Sequence, residues 1–277
     1  DSYNAALDKF LDNIRLPEGY EEPETPYYDL WIGGLHFIFL GDTDLPSEDV
    51  KATIGNEQYA WLSEKLAENA DGRPIFLFMH QPLRDTVSGS LVDQGWWGIE
   101  DEEYLRVLLE EYPQIIMFNG HTHWTLDDEN AMFGGNGAAT IFNTAGVGYL
   151  WTSQYKVAGQ YLEGSQGYYV KVYEDRIVVQ GRDFVNGEWL PAADFELTGV
   201  NIPEDVGGTE IKLPESDQTD EPVINPTDKP TEKTEETPTD DVPSEKDGCG
   251  ASITLGGASA VLFVACVSLA LGRKKEY

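Results

Sequence analysis

Cysteine and basic residues are both scarce in this chain, and each shortage limits what the protein can be. Its two cysteines, Cys249 and Cys266, lie near the C-terminal end, so the rest of the chain has no disulfide bond. Lysine and arginine together number 18 against 50 acidic residues, which gives a formal net charge of -32. A negative charge of this size argues against binding to the backbone of a nucleic acid.

Apolar residues are plentiful enough for a packed core, but they are unevenly distributed. The 277 residues are 40% hydrophobic and 12% aromatic, a composition typical of one or two globular domains. Residues 203–247 differ from the rest because they consist mainly of proline, threonine, glutamate and aspartate. Such a segment buries too little apolar surface to offset its chain entropy. We predict a folded domain over residues 1–199 and a disordered linker over residues 200–252.

A run of apolar residues follows the linker. Residues 253–271 contain no charged side chain, and an Arg-Lys-Lys sequence comes shortly after them. This pattern predicts a transmembrane helix over residues 253–272. Basic residues beside a membrane helix stay in the cytoplasm, so we expect the tail 273–277 inside the cell and the folded domain outside. Linker, helix and tail together are typical of single-pass bacterial surface proteins, and a removed or buried apolar tail is the alternative.

Three of the four histidines closely follow short apolar runs. His80 comes directly after residues 74–79, and His121 and His123 come after residues 115–118 with Asn-Gly between. Short, wholly apolar runs predict strands that are buried on both faces of an α/β sheet. In such sheets ligands bind where the strands end. The three imidazoles are therefore placed where a binding site is expected.

The segment between the two runs favours bringing the histidines together. Residues 100–112 carry apolar side chains on one helical face and acidic residues at the start, which predicts an amphipathic helix. A strand, helix and strand in succession favour a parallel crossover, with both strand ends at one edge. In an extended segment His121 and His123 would project to the same side, as metal ligands do. The alternative is a polar turn whose histidines face water.

The motifs around these histidines resemble those of a known family. "FMHQPL" and "NGHTHW" are similar to the fourth and fifth signature motifs of the calcineurin-like metallophosphoesterases, which include the purple acid phosphatases. "GNEQYAWLSEKLAENADGRPIFLFMH" is similar to the helix and strand that lead to the first of these motifs in that family. The resemblance covers residues 28–195. It implies the C-terminal part of a four-layer α/β/β/α sandwich.

The resemblance also implies a function and a set of metal ligands. His80 and His121 would bind one metal of a two-metal centre, and His123 would bind the other. Imidazole ligands favour iron, zinc or manganese over magnesium or calcium. In such a centre two cations bind the phosphoryl oxygens and activate a water molecule. The substrate would be a small phosphate monoester or diester.

The family's first three motifs have no convincing match in the chain. These motifs are Asp-x-His, Gly-Asp-x-x-Asp and Gly-Asn-His, which supply the remaining ligands and a catalytic histidine. "LGDTDLP" and "IGNEQ" imitate the second and third motifs, but we interpret their Asp42 and Asn56 as unrelated to them, with Asn56 near a helix N-terminus. We expect the catalytic residues to lie upstream of Asp1. The chain would then be a fragment with three ligands and little activity.

Two other functional classes share features with this chain. A metal-dependent amidohydrolase also has a His-x-His motif after a strand, but its barrel needs later histidines. No histidine follows His123 in this chain, which nearly removes that class. The second alternative is a catalytically inactive binding module on the same fold, anchored at the cell surface. The anchor and the missing ligands fit this alternative equally well.

The remaining features predict structural roles. His36 alternates with strand residues, which favours a structural role over metal binding. Residues 167–184 alternate apolar and polar side chains around Glu174 and Asp175, which predicts a β-hairpin. Tryptophans beside the histidine runs are expected to cap the core more than to line a cleft. They are Trp96, Trp97, Trp124 and Trp151.

Overall fold

The computed structural model describes residues 2–43, 51–135, 137–154, 157–204 and 206. The predicted transmembrane helix, the cytoplasmic tail and nearly all of the predicted linker lie outside these residues. Within the described part of the chain, no helix has the length and apolar character needed to cross a membrane. The helices and strands in chain order are α1 (Ser2–Asn13), β1 (Tyr28–Ile32), β2 (Leu35–Phe39), α2 (Gly55–Ala67), β3 (Ile75–Met79), α3 (Glu102–Glu111), β4 (Ile115–Asn119), β5 (Met132–Gly135), β6 (Ala138–Asn143), β7 (Leu150–Gln154), β8 (Val157–Leu162), β9 (Gln166–Val172), β10 (Arg176–Asp183) and β11 (Glu188–Thr198).

A six-stranded mixed sheet has the strand order β1-β2-β3-β4-β6-β5. The four inner strands run parallel to one another, and β1 and β5 pair antiparallel at the two edges. The predicted α/β class is therefore confirmed, with a mixed sheet and few helices. Because the inner strands are parallel, the carboxyl ends of β2, β3, β4 and β6 all lie at the same edge of the sheet.

Two apolar clusters, one on each face, explain why β3 and residues 115–118 of β4 are apolar. Ile75 and Leu77 pack with the buried side chains of α2 and α3 on one face. Phe76 and Ile116 pack on the other face with β9 and β10, which belong to a separate three-stranded sheet of order β11-β10-β9. Full burial of one such side chain stabilises the fold by about 1.5–3 kcal/mol. The described layers are helices, sheet and sheet.

The predicted helix and hairpin are both present. The helix predicted over residues 100–112 corresponds to α3, which buries Leu105, Leu108 and Leu109. The hairpin predicted over residues 167–184 corresponds to β9 and β10, and the Tyr173 N–H donates to the Arg176 carbonyl across its turn. Alternate residues of β9 are buried, which is the period expected of a strand with one covered face. Both elements were predictable because their apolar spacing is regular.

Candidate metal centre

His80 and His121 meet at the carboxyl edge of the six-stranded sheet. His80 directly follows β3, and His121 lies two residues beyond β4, the neighbouring parallel strand. Their ring centroids are 5.4 Å apart and the rings are nearly perpendicular. Two imidazoles that share one tetrahedral metal have ring centres about 5 Å apart, given metal–nitrogen bonds of about 2 Å. The separation of the two rings therefore fits a shared ion.

His123 is oriented by a backbone carbonyl. Its Nδ1 lies 3.2 Å from the carbonyl oxygen of Tyr149, and the two rings are 4.2 Å apart. A carbonyl oxygen only accepts hydrogen bonds, so this contact assigns the proton to Nδ1. The lone pair is then on Nε2, which is the nitrogen that can bind a metal. Metal-binding histidines in proteins are commonly oriented in this way.

The expectation that His121 and His123 lie in an extended segment was wrong. His121 has a φ of 69° and His123 a φ of 56°, both in the left-handed region. The Thr122 N–H donates to the Gly120 carbonyl, so the chain turns tightly between the two rings. Alternation along a strand therefore does not explain their placement. The sequence period could not reveal this because left-handed residues follow no repeat.

Backbone strain is concentrated at this edge of the sheet. The described residues include four non-glycine residues with positive φ, and three of them are His121, His123 and Ala145. Ala145 follows β6, the strand next to β4. Each such residue costs of order 1–3 kcal/mol, and strain of this kind is characteristic of functional sites. The surrounding contacts must therefore hold the histidine segment in place.

All three imidazoles are held in the neutral form. Burial and, to a smaller extent, the nearby His121 and His123 together lower the pKa of His80 to about 4. Burial also lowers the pKa of His121 and of His123, although the bond to the Tyr149 carbonyl partly offsets this for His123. The His80 side chain is exposed on one side, but the protein around the rest of its ring still excludes water and disfavours the charged form. Neutral imidazole is the form that binds metals.

A separate cluster of potential ligands lies elsewhere on the sheet. Among the described residues, only Asp29, His36 and Glu68 form a group of three ligand atoms within 4.8 Å of one another. The Lys65 ammonium already lies 3.2 Å from Asp29 and 3.1 Å from Glu68. The ring nitrogens of His36 contact Asp29 at 2.9 Å and Asn69 at 2.8 Å. This group is an ion network around a lysine, which agrees with a structural role for His36.

His80, His121 and His123 do not form such a compact group of ligand atoms. A single ion bound by all three is therefore not supported.

Asp42 also lies at the carboxyl edge, and its carboxylate accepts the Thr53 N–H at 3.0 Å. Asn56 is exposed in the first turn of α2, near the helix N-terminus as expected. Both positions have a local structural explanation.

Of the four tryptophans that lie near the histidine runs in the sequence, three pack together beside the histidine segment. Trp124 is fully buried, as expected for a residue that caps the core. The Trp96 ring lies 5.4 Å from that of Trp124 and 6.1 Å from that of Trp151. Trp97 is different because two basic side chains cover its ring. The tryptophans therefore support the loops around the site.

Sequence reasoning missed several residues that contact the histidines. Tyr149 packs on His123 and stacks on Tyr161, and both tyrosines are exposed. Asn119 and Asn143, the last residues of β4 and β6, are almost fully buried beside the histidine segment. The available signal was an asparagine directly after an apolar run, at Asn119 and at Asn143.

Comparisons with known proteins add no relative to this description. No model of a known protein family matches the chain, and no curated protein matches it. The functional argument therefore depends on the residues at the carboxyl edge of the sheet.

Proposed function

We propose that this chain is part of a calcineurin-like metallophosphoesterase that hydrolyses phosphate monoesters or diesters through two metal ions. The observation that carries the proposal is the 5.4 Å approach of the His80 and His121 rings, with His123 two residues further on. The described helix, sheet and sheet layers support extending the fold to a four-layer sandwich. The outer helical layer would cover the free face of the three-stranded sheet.

The residues at the site fit metal ions of the iron, zinc or manganese class. Their donor atoms are imidazole nitrogens, which these metals accept readily. The lowered pKa of all three rings keeps them neutral, and His123 has its Nδ1 proton bonded away from the site. When bound, two such ions bind phosphoryl oxygens and lower the pKa of a water molecule.

The chain's own residues would provide fixed ligands. Strands β3 and β4 are hydrogen-bonded neighbours, so His80 and His121 keep their separation as long as the sheet is intact. The Gly120 N–H donates to the His80 carbonyl at 3.0 Å, which joins the two segments beyond the last strand pair. Ligands held in this way need no rearrangement when a phosphoester binds, and such preorganisation favours catalysis.

The acidic composition is relevant to how a substrate would approach. With a formal net charge of -32, the chain repels polyanions at low ionic strength. Attraction of a phosphate group must then be local and must come from the metal centre. We further propose that the enzyme is held at the outer face of the cell membrane by the helix predicted over residues 253–272.

A second candidate function has one observation in its favour. Among the described residues, no aspartate or glutamate joins two of the three histidines in a group of ligand atoms within 4.8 Å. A binuclear centre needs a bridging ligand, and a carboxylate is the expected one. An inactive surface binding module on the same fold would lack it. The two candidates differ in whether the protein extended upstream of Asp1 hydrolyses phosphoesters.

Metal content and hydrolysis together test the proposal. Loss of a residue that hydrogen-bonds a metal ligand lowers metal affinity about 10- to 100-fold. We expect a larger loss of zinc or manganese affinity in His80→Ala, His121→Ala and His123→Ala, because each removes a ligand itself. His36→Ala should leave metal binding intact, and melting curves should identify any variant that unfolds. Unchanged metal content after His121→Ala would contradict the proposal.

The hydrolysis assay uses p-nitrophenyl phosphate for monoesters and bis(p-nitrophenyl) phosphate for diesters. The 277-residue chain should hydrolyse both very slowly. The protein extended upstream along its gene should hydrolyse at least one of them, and each histidine variant should abolish that activity. Metal binding without hydrolysis by the extended protein would favour the binding module.

A further inference from the structure

Two buried asparagines end adjacent parallel strands at the histidine edge. Asn119 is the last residue of β4 and Asn143 the last residue of β6, and they are paired in the strand register. Their exposed fractions are 1% and 0%. Most buried polar atoms form hydrogen bonds, so the partners of a buried amide show which segments it connects.

The Asn119 amide holds the backbone on both sides of His80. Its Nδ2 donates to the carbonyl oxygens of Met79 and Gln81, each at 3.0 Å. Met79 and Gln81 are the two neighbours of His80 in the chain. The regular strand pairing between β3 and β4 ends at Met79, so these bonds continue the connection where the ladder stops.

The Asn143 amide does the same around His123. Its Nδ2 donates to the Trp124 carbonyl at 3.0 Å, and its Oδ1 accepts from the Thr122 hydroxyl at 3.2 Å. Thr122 and Trp124 are the two neighbours of His123 in the chain. The Oδ1 also accepts the Ala145 N–H at 3.2 Å. The left-handed turn that contains His123 is therefore bonded on both sides by one side chain.

We propose that Asn119 and Asn143 are positioning residues of the histidine centre, with Asn119 fixing His80 and Asn143 fixing His123. This inference rests on the proposed metal-dependent function. Each asparagine uses an amide N–H to bind a carbonyl oxygen, which neither an aspartate nor an apolar residue can do. The Oδ1 of Asn119 has no hydrogen-bond partner among the described residues.

The test uses the 277-residue chain and measures zinc binding by calorimetry and the absorption spectrum of bound cobalt. Asn119→Asp keeps the shape of the side chain but places an acceptor against two carbonyls. We expect Asn119→Asp and Asn143→Asp each to weaken zinc binding about 10- to 100-fold and to alter the cobalt spectrum. The spectrum reports ligand geometry, which a loss of stability alone does not change.

Asn69→Asp is the matched control. Asn69 is also 1% exposed, its Oδ1 has no partner among the described residues, and it contacts His36, which lies outside the centre. This variant should lower the melting temperature as the other two do while leaving zinc affinity within about twofold of the unmodified chain. An equal loss of affinity in all three variants would overturn the positioning role.

A second readout needs no metal and separates the two proposals. Imidazole ¹⁵N–¹H correlation spectra of the metal-free chain should show changes at His80 in Asn119→Asp and at His123 in Asn143→Asp, with His36 unchanged. Where a variant unfolds, Asn119→Ser and Asn143→Ser replace it. If the chain binds no metal but these spectra change as expected, the proposed function fails and the positioning stands. If the His80 and His123 signals do not change, the positioning is wrong.

Discussion

The ring of His123 has close neighbours on two sides. The Tyr149 ring lies 4.2 Å away, and Gly146 comes so near that an added Cβ would be 2.9 Å from Nδ1 and 2.5 Å from the Tyr149 carbonyl oxygen. There is no room for a side chain at Gly146 unless the histidine or the carbonyl moves. The orientation of His123 therefore depends on the absence of a side chain at Gly146.

Gly146→Ala should break the bond between His123 and the Tyr149 carbonyl and weaken zinc binding at least tenfold, because the ring loses the partner that orients it. Gly148→Ala is the matched control, since a Cβ there would meet no atom within 4 Å. Calorimetric zinc affinity and melting curves are the measurements. Equal affinities of the two variants would show that the ring tolerates displacement.

Asp29 provides a prediction about pH. Burial raises the pKa of its carboxyl, but hydrogen bonds from His36 and Lys65 and the Lys65 charge outweigh this and hold the pKa below its ordinary value. A carboxyl with a lowered pKa in the folded state stabilises the fold above its unfolded pKa of about 3.9. That contribution is lost as the pH falls through the lower, folded pKa.

Asp29→Asn should therefore lower the free energy of unfolding by about 1.5–3 kcal/mol at neutral pH, the range for a hydrogen bond to a charged group. The difference between variant and unmodified chain should shrink as the pH falls below 4, the region of the unfolded pKa. Urea unfolding at a series of pH values is the measurement. Asp175→Asn is the control, because Asp175 forms an exposed pair with Arg176 and should cost no more than about 1 kcal/mol at any pH. A difference at Asp29 that persists unchanged at low pH would contradict the argument.

At the scale of elements, the connection between β3 and α3 supports the histidine segment from behind. Its Gly89 has a φ of 86°, and a Cβ there would lie 2.4 Å from Cβ of Thr122 and 2.9 Å from the Trp124 ring. The Gly89 carbonyl accepts the Trp96 N–H at 2.8 Å. The connection thus packs directly against the turn between His121 and His123.

Gly89→Ala should destabilise the fold more than Gly95→Ala and should also weaken zinc binding. Gly95 has a similar positive φ of 74°, but a Cβ there would meet no atom within 4 Å. Gly95→Ala should therefore cost only the left-handed backbone strain of about 1–2 kcal/mol. Urea unfolding gives the stabilities, and calorimetry gives the zinc affinities. A loss of zinc affinity in both variants, or in neither, would mean that this connection does not support the site.

The elements that could be predicted from the sequence have clear apolar patterns. Helix α3 and the β9–β10 hairpin follow from the spacing of their apolar residues, and strands β3 and β4 follow from short apolar runs. The histidines could be placed at strand ends for the same reason. The turn through His121 and His123 could not be predicted, because its left-handed residues are stabilised by contacts from β6 and from Tyr149. The two asparagines were missed because a hydrogen bond to a distant carbonyl leaves no periodic signal.

At the scale of the whole molecule, the folded part and the predicted anchor would have separate roles. The described residues form helix, sheet and sheet layers that contain all four histidines. The helix predicted over residues 253–272 lies outside them, as does most of the linker predicted over residues 200–252, although Val200, Ile202 and Val206 at its start pack against the core. A long solvated linker would hold the site away from the membrane surface.

Removal of residues 253–277 should move the protein from the membrane fraction to the soluble fraction of expressing cells, because the apolar run is then gone. Immunoblots of separated fractions are the measurement. Replacement of the basic residues in 273–277 by glutamine is a useful comparison, since it should change the orientation of the helix more than its insertion. Release of the intact chain to the same extent as the truncated chain would contradict retention in the membrane.

The hydrogen bonds of Asn119 also affect the rate at which this residue deamidates. Asn119 is followed by Gly120, and an asparagine before glycine is the pair most prone to deamidation, in which the glycine nitrogen attacks the side-chain amide and ammonia is lost. In the folded chain both groups are occupied, because Nδ2 binds two carbonyls and the Gly120 N–H binds the His80 carbonyl. Asn186 and Gly187 form the same pair in an exposed turn, so Asn186 should deamidate in the folded chain while Asn119 does not. Prolonged unfolding would remove that protection, and a chain that refolds afterwards would carry an acid where the amide had held His80.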